Sequence, residues 1–275
     1  MIPKFFDIHA HVNDARFDTD RAEVLLHMRE RGFFSIMVGT DEKSSQDVSV
    51  MAKEAHGGIF ACIGVHPIDD TKAQFNKTAF SKIADNPLVV AVGECGIDYS
   101  RLNEVENVDR EKARQNELFE AQVDFAIERN LPLMIHCRDS EKTLADAHRA
   151  VLDILTQKKK EAGERLRGNV HFFSQTIEIA KEYFALGFTI SFTGVITFTH
   201  EYDEVIRFSP LGKIMSETDS PYVAPTPYRG KRNEPIYVEE VVKKIAEIRG
   251  EDFETVRSAL VQNALSMFSI KNTNF

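Results

Sequence analysis

Cysteine is scarce in this 275-residue chain: three are present, Cys62, Cys95 and Cys137. An odd, widely spaced set makes neither a disulfide framework nor a CxxC metal motif, so the thiols are expected to be reduced and structural. Long apolar runs are missing as well. The longest uninterrupted aliphatic stretch is Leu88 to Val92, far below the roughly 20 residues a membrane-spanning helix needs, which predicts no membrane span. Basic excess is absent: 34 Lys+Arg stand against 43 Asp+Glu, a formal charge of −9. That balance argues against a broad nucleic-acid surface and leaves room for a phosphate site only if it is local or supplied by metal. Asp7 and His9 follow Met1 too closely for a secretory leader to precede them. The chain reads as cytoplasmic.

What is present suits a single large domain over residues 1–275. Hydrophobic residues make up 43% and charged residues 28% of the chain, enough to build a sizeable core. Apolar runs bounded by turn residues predict eight strands: 4–8, 33–39, 58–64, 88–93, 131–136, 169–173, 188–192 and 213–216. Several are apolar throughout, as parallel strands covered on both faces are. Helical stripes separate them. Phe119, Val123, Ala126 and Ile127 form one, and Leu144, His148, Val151, Leu152 and Leu155 another. Tyr237, Val241, Ile245 and Ile248, closed by Gly250, form a third, and Val256, Leu260, Ala264 and Met267 a fourth. Asp109 and Ser140 are expected as helix N-caps, with Gly57 and Gly187 just after helix ends. Eight strands alternating with helices over this length predict a (β/α)8 barrel, class α/β. The rival, an open doubly wound sheet, usually carries a glycine-rich loop after its first strand. Here that strand runs into Asp7, His9 and His11 instead.

Nine histidines occur, and His9, His11, His66, His136 and His171 fall at the C-terminal ends of predicted strands, the rim on which barrel active sites are built. Glu94 and Asp219 occupy the same level. Imidazoles and carboxylates converging on one mouth are ligands for first-row metals. Residues i and i+2 of a strand share a face, so Asp7, His9 and His11 are expected to point into the mouth, with Ile8 and Ala10 toward the helices. The same parity sets Cys95 behind Glu94 and Cys137 behind His136, as packing residues. Several polar groups buried together at one rim are costly to leave unpaired, and metal satisfies them jointly.

The motifs Asp7-Ile-His9-Ala-His11, Gly64-Val-His66-Pro67, Gly93-Glu94-Cys-Gly96-Ile-Asp98-Tyr99, Ile135-His136-Cys-Arg138 and Glu217-Thr-Asp219-Ser-Pro221-Tyr222, followed by Arg229-Gly-Lys231-Arg232-Asn233-Glu234-Pro235, appear in this order. The ordered set resembles the TatD family of metal-dependent deoxyribonucleases, which are amidohydrolase-type metal barrels. The resemblance implies two divalent ions, one held by His9, His11 and Asp219 and the other by His136 and His171, with Glu94 bridging. It also implies cleavage of DNA, as a 3′ to 5′ exonuclease acting on single-stranded ends. One position departs: Gln175 stands where the family usually has glycine, which puts that loop's backbone in question.

Two such ions can activate water and polarise a phosphoryl or carbonyl oxygen. Asp219 is the expected proton acceptor, beside the bridging Glu94. His66 is placed as a hydrogen-bond donor to substrate, Arg138, Arg229, Lys231 and Arg232 as a basic rim for phosphate, and Tyr99 and Tyr222 as stacking surfaces for bases. The donor set suits Zn, Mn, Fe, Ni or Mg alike. Ester hydrolysis, with D-aminoacyl-tRNA as substrate, is the alternative activity, and a non-catalytic binding barrel is a third. No obligate protein partner is inferred.

Overall fold

The computed structural model describes residues 2–141, 143 and 145–271; Leu144 of the second helical stripe lies outside them. Eight strands alternate with helices. They are β1 (Phe5–Ala10), β2 (Phe33–Val38), β3 (Ile59–Ile63), β4 (Val89–Asp98), β5 (Leu133–Arg138), β6 (Gly168–Val170), β7 (Thr189–Phe192) and β8 (Ile214–Ser216). Each pairs in parallel with the next, in the order of the chain. A parallel bridge between Ala10 and Ser220 brings the last strand region back to the first. The expected barrel is therefore the observed fold, as one nearly closed domain.

The helices are α1 (Arg21–Glu30), α2 (Glu42–Glu54), α3 (Lys77–Ile83), α4 (Val108–Arg129), α5 (Asp146–Ala162), α6 (Ile177–Ala185), α7 (Asp203–Phe208), α8 (Val238–Arg249) and α9 (Phe253–Met267). Their expected stripes are buried: Phe119, Val123 and Ala126 on α4, and His148, Val151, Leu152 and Leu155 on α5. Gly250 ends α8 in the left-handed region at φ 64°, where glycine carries no Cβ penalty. Two expected caps differ. Asn107, not Asp109, accepts from the Arg110 amide to start α4. Ser140 does not start a helix either. The chain runs on to Asp146, and the amides of Ala145, Ala147 and His148 donate back to the Asp139 carboxylate.

The core has two layers. Between strands and helices lies the larger apolar shell, to which Phe5, Met37, Ile63, Ile135 and Val170 belong. Inside the barrel, Phe6, Ile8, Phe34, Ile36, Phe60, Met134 and Met215 form a second cluster with Val261, Ala264, Leu265 and Phe268 of α9 and its end. Ile8 thus lies inside, contrary to the simple alternation expected for β1. The register between β1 and β2 shifts between Asp7 and Ala10. That irregularity lets His9 join the mouth although Ile8 precedes it, while Asp7 is bonded to the Thr218 amide and hydroxyl. Ala10 keeps its expected outward place. All three cysteines are free and buried, and no helix of the described residues is long and apolar enough to cross a membrane.

Candidate metal centre

Above the apolar interior, side chains from five strand ends converge. His9 and His11 follow from β1, Glu94 from β4, His136 from β5, His171 from just beyond β6, and Asp219 from the segment after β8. Asp219 sits at φ 55°, its amide bonded to the His9 carbonyl, so the eighth segment is anchored on the first beside the cluster. Gly93 gives Glu94 its close approach. A Cβ there would lie 2.3 Å from the Met134 carbonyl oxygen, and the residue has φ 153°, which together require glycine.

Glu94 is the centre of the arrangement. Its Oε2 lies 3.4 Å from His9 Nε2 and 3.5 Å from His11 Nε2. Its Oε1 lies 2.9 Å from both His136 Nδ1 and His171 Nε2. Asp219 Oδ1 completes the first side, 3.5 Å from His11 Nε2 and 3.8 Å from His9 Nε2. The two oxygens of one carboxylate therefore face two groups of imidazoles. Among the described residues, three sets of ligand-type atoms lie close enough to share an ion: His9, His11 and Asp219; His9, Glu94 and His171; and His66, Glu94 and His136. The last set includes His66, whose Nε2 is 3.7 Å from Glu94 Oε1.

Burial alone would raise the Glu94 carboxyl, but His171, His9 and His136 pull it well below the usual range. Asp219 is likewise opposed by burial and lowered by its bond to His11 and the charge of His9. The imidazoles are oriented from behind. His11 Nδ1 is 3.1 Å from the Val38 carbonyl, and His136 Nε2 is 3.0 Å from Asp98 Oδ2. His66 Nδ1 is 2.8 Å from Asp69, whereas His171 Nδ1 stands 3.6 Å from Glu217. With their outer nitrogens occupied, His11 and His136 present the inner ones. His9 Nε2 and His11 Nε2 lie only 3.1 Å apart, and neither His9 Nδ1 nor His171 Nδ1 has a hydrogen-bond partner among the described residues. Facing imidazoles and two depressed carboxylates make a donor set that fits divalent cations of the first row.

A cavity of about 820 Å³ opens over this cluster, and Arg138, His66 and Tyr222 line it as expected from the sequence. Three other expected substrate residues are not among those that line it. Tyr99 is 3% exposed and borders a smaller side pocket with Lys112 over its ring. Arg232 is held by both oxygens of Asp20 at 2.6 and 2.8 Å and by Glu234 at 3.1 Å. Arg229 donates to the Ala224 carbonyl and covers the Phe198 ring. Among the described lining residues Arg138 is the one lysine or arginine. Gln175 takes no positive φ, which falls on Phe172 at 48°. Its side chain donates to Asp139 at 2.5 Å, linking the loops after β5 and β6 where glycine could not. Sequence reasoning missed Asp98, Asp69 and Glu217 as the groups behind the histidines, although Asp98 and Glu217 stood inside quoted motifs.

An eight-stranded parallel barrel with this donor set at its C-terminal mouth defines a metal-dependent hydrolase. The family model described as TatD related DNase matches residues 6–269, and the chain belongs to the TatD family. The uncharacterized metal-dependent hydrolase YabD of Bacillus subtilis (strain 168) is 35% identical over 269 residues, spanning 96% of this chain and 99% of YabD. A 3′-5′ ssDNA/RNA exonuclease TatD from Pectobacterium carotovorum is 30% identical over 276 residues, again 96% of this chain and 99% of the relative. Among solved structures, the TatD homolog YJJV from Escherichia coli K12 superposes with a TM-score of 0.84 at 26% identity, over 98% of this chain and all of YJJV.

Proposed function

We propose that this protein is a two-ion exonuclease that removes nucleotides from the 3′ ends of single-stranded DNA. The observation that carries the reading is the Glu94 carboxylate, which turns one oxygen to His9 and His11 and the other to His136 and His171. His9, His11 and Asp219 would hold one divalent ion, His136 and His171 the other, with Glu94 between them. When bound, the pair supplies an acidified water and polarises a phosphoryl oxygen. Asp219 accepts the proton of the attacking water, because its carboxylate is held ionised and faces the cavity. Arg138 bonds the non-bridging oxygens of the phosphodiester, and Tyr222 receives the adjoining base. His66, fixed by Asp69, directs its other nitrogen toward the phosphate. The name of the Pectobacterium relative supports the polarity, and a closed mouth favours a strand end over a continuous duplex.

The test is hydrolysis of single-stranded DNA labelled at the 3′ or the 5′ end by protein reconstituted with Mn²⁺, Mg²⁺ or Zn²⁺. Label from the 3′ end should be released first as mononucleotide, with about two ions per chain by elemental analysis. Glu94→Gln should lose more than about 100-fold in turnover, beyond the 10- to 100-fold typical of groups behind a metal ligand. Release from the 5′ end, a single ion at excess metal, or faster hydrolysis of a D-aminoacyl-tRNA would overturn the reading.

A further inference from the structure

Two arginine–aromatic pairs are attached to the cavity wall, one through the lining residue Tyr222 itself and one through its neighbours in the chain, and neither belongs to the histidine–carboxylate cluster. Tyr222 is 46% exposed, with the Arg16 guanidinium 4.2 Å over its ring and the His11 ring edge-on at 6.3 Å. Phe198 is 45% exposed, with Arg229 3.9 Å over its ring. Both pairs are tied to residues that line the cavity. Arg16 is bonded to Asp14, and the Phe198 amide donates to Val195. Arg229 donates to Ala224, next to the lining residue Val223. Among the described residues the strongly exposed aromatic rings are Phe198, Phe208 and Tyr222; Tyr222 lines the cavity, and Phe198 is bonded through its amide to the lining residue Val195. Exposed rings concentrated at a functional mouth mark a recognition surface.

Charge narrows the occupant. The chain carries a net −9, and Arg138 is the one lysine or arginine among the described lining residues. A strand held at this mouth cannot draw its affinity mainly from ion pairs. Stacking needs no charge and tolerates any base, and a guanidinium lying on a ring adds a planar donor for phosphate. In a duplex both faces of each base are already stacked, so rings of this kind fit a single strand.

We propose that Tyr222 with Arg16 and Phe198 with Arg229 clamp a single DNA strand, each ring stacking a base next to the scissile nucleotide. The clamp rests on reading the site as a DNA exonuclease, and it adds Phe198 and Arg16 as strand-binding residues. It also turns Arg229 from an isolated phosphate ligand into one half of a stacking unit.

The test is fluorescence anisotropy of a short labelled oligo(dT) with chelator-treated protein across a salt series, with cleavage by reconstituted protein measured alongside. Phe198→Ala and Tyr222→Ala should each weaken binding roughly 5- to 100-fold, the range of one lost base stack, with the salt slope unchanged. Arg229→Gln should instead flatten that slope by about 0.7, one phosphate contact to a single strand. Phe198→Leu keeps apolar bulk without a π-face and should bind as weakly as the alanine variant, which separates stacking from packing. If both ring variants bind like the unaltered protein while the strand is still cut, the clamp is overturned and the exonuclease reading stands. Ring-dependent binding without cleavage overturns the exonuclease reading alone, and an unaltered protein that does not bind the oligonucleotide overturns both.

Discussion

Asp98 decides which nitrogen His136 offers to the cluster. Its Oδ2 meets His136 Nε2 at 3.0 Å, while Oδ1 is held by the Ser100 amide and hydroxyl at 2.8 and 2.6 Å. Burial would raise this carboxyl, yet the bond to His136 holds it down at about 2. Its partner His136 is pushed up to about 9 against the effect of burial. A carboxylate behind a ligating imidazole fixes the ring and raises its basicity. On the two-ion proposal, Asp98→Ala should therefore weaken one of the two metal-binding steps by about 10- to 100-fold in calorimetric titration, and Asp98→Asn, which retains an accepting oxygen, should lose less. Gln115 bonds the Asp98 backbone and keeps the strand end in place in both variants. Asp98→Ala also strips the Ser100 amide and hydroxyl of their acceptor, so it should melt lower than Asp98→Asn, and metal affinity is compared at a temperature where both are folded. Equal affinity in Asp98→Ala and the unaltered protein would show that His136 needs no such support. The convergence of His9, His11, Glu94, His136, His171 and Asp219 on one mouth was readable, since a histidine or carboxylate at the end of an apolar run has few places to go in a barrel. Arg232 was readable as a structural arginine only in part: Glu234, two positions on, is a local partner, whereas Asp20 lies 212 positions away and nothing local announces it.

All eight strands emerge from the apolar runs because each is covered on both faces, and their ends fall within a few residues of expectation except in β4, which runs on to Asp98. The sequence pattern could not reveal that extension, since polar Glu94 and Asp98 interrupt the apolar run and the backbone is clamped from outside. Gln115 and Gln122, two turns apart on α4, bond both backbone groups of Asp98 and of Val65 respectively. They hold the ends of β3 and β4 in register with the helix. The β4–β5 pairing also depends on Gly96, which is paired with His136. A Cβ at Gly96 would fall 1.8 Å from the His136 carbonyl oxygen, at φ 150°. Gly96→Ala should thus cost about 3 kcal/mol by urea denaturation, among the larger single-site effects, and also weaken metal binding through His136. Gly212→Ala, where nothing lies within 4 Å, should be close to neutral in the same measurement. Similar stabilities for the two variants would mean that β4 and β5 can part at this point without consequence. The helix starts were less legible than the strands. Asp, Asn and Ser compete for the same capping role, and Asp139 caps α5 across a loop rather than from the position before it.

The molecule divides its interior by height. Phe6, Phe34 and Phe60 pack with ring centroids 5.9 to 6.1 Å apart within the apolar cluster, and the polar cluster occupies the mouth. A second buried polar position lies outside the strands, where His148 of α5 is 1% exposed with its Nδ1 3.0 Å from the Tyr183 hydroxyl. Burial first, then the charge of His136, lowers the His148 pKa to about 3, against roughly 6.5 in an unfolded chain. Between those values the unfolded chain takes up a proton that the folded protein refuses. Stability from this histidine is therefore intact above about pH 6.5 and lost as pH falls toward 3. One such group contributes a slope of up to about 1.4 kcal/mol per pH unit inside the window. The carboxylates at the mouth also lose their stabilising charge as pH falls, so the whole-protein curve cannot isolate His148. A difference measurement does, because the mouth is common to both proteins. Urea denaturation of metal-free protein and of His148→Gln, carried out at steps from pH 7.5 to 5, should show the gap between them narrowing as the medium becomes more acid, since the glutamine variant has no proton to take up at this position. A gap that stays constant over that range would mean that His148 is protonated alike in the folded and unfolded states, and that its pairing with Tyr183 tolerates the charge.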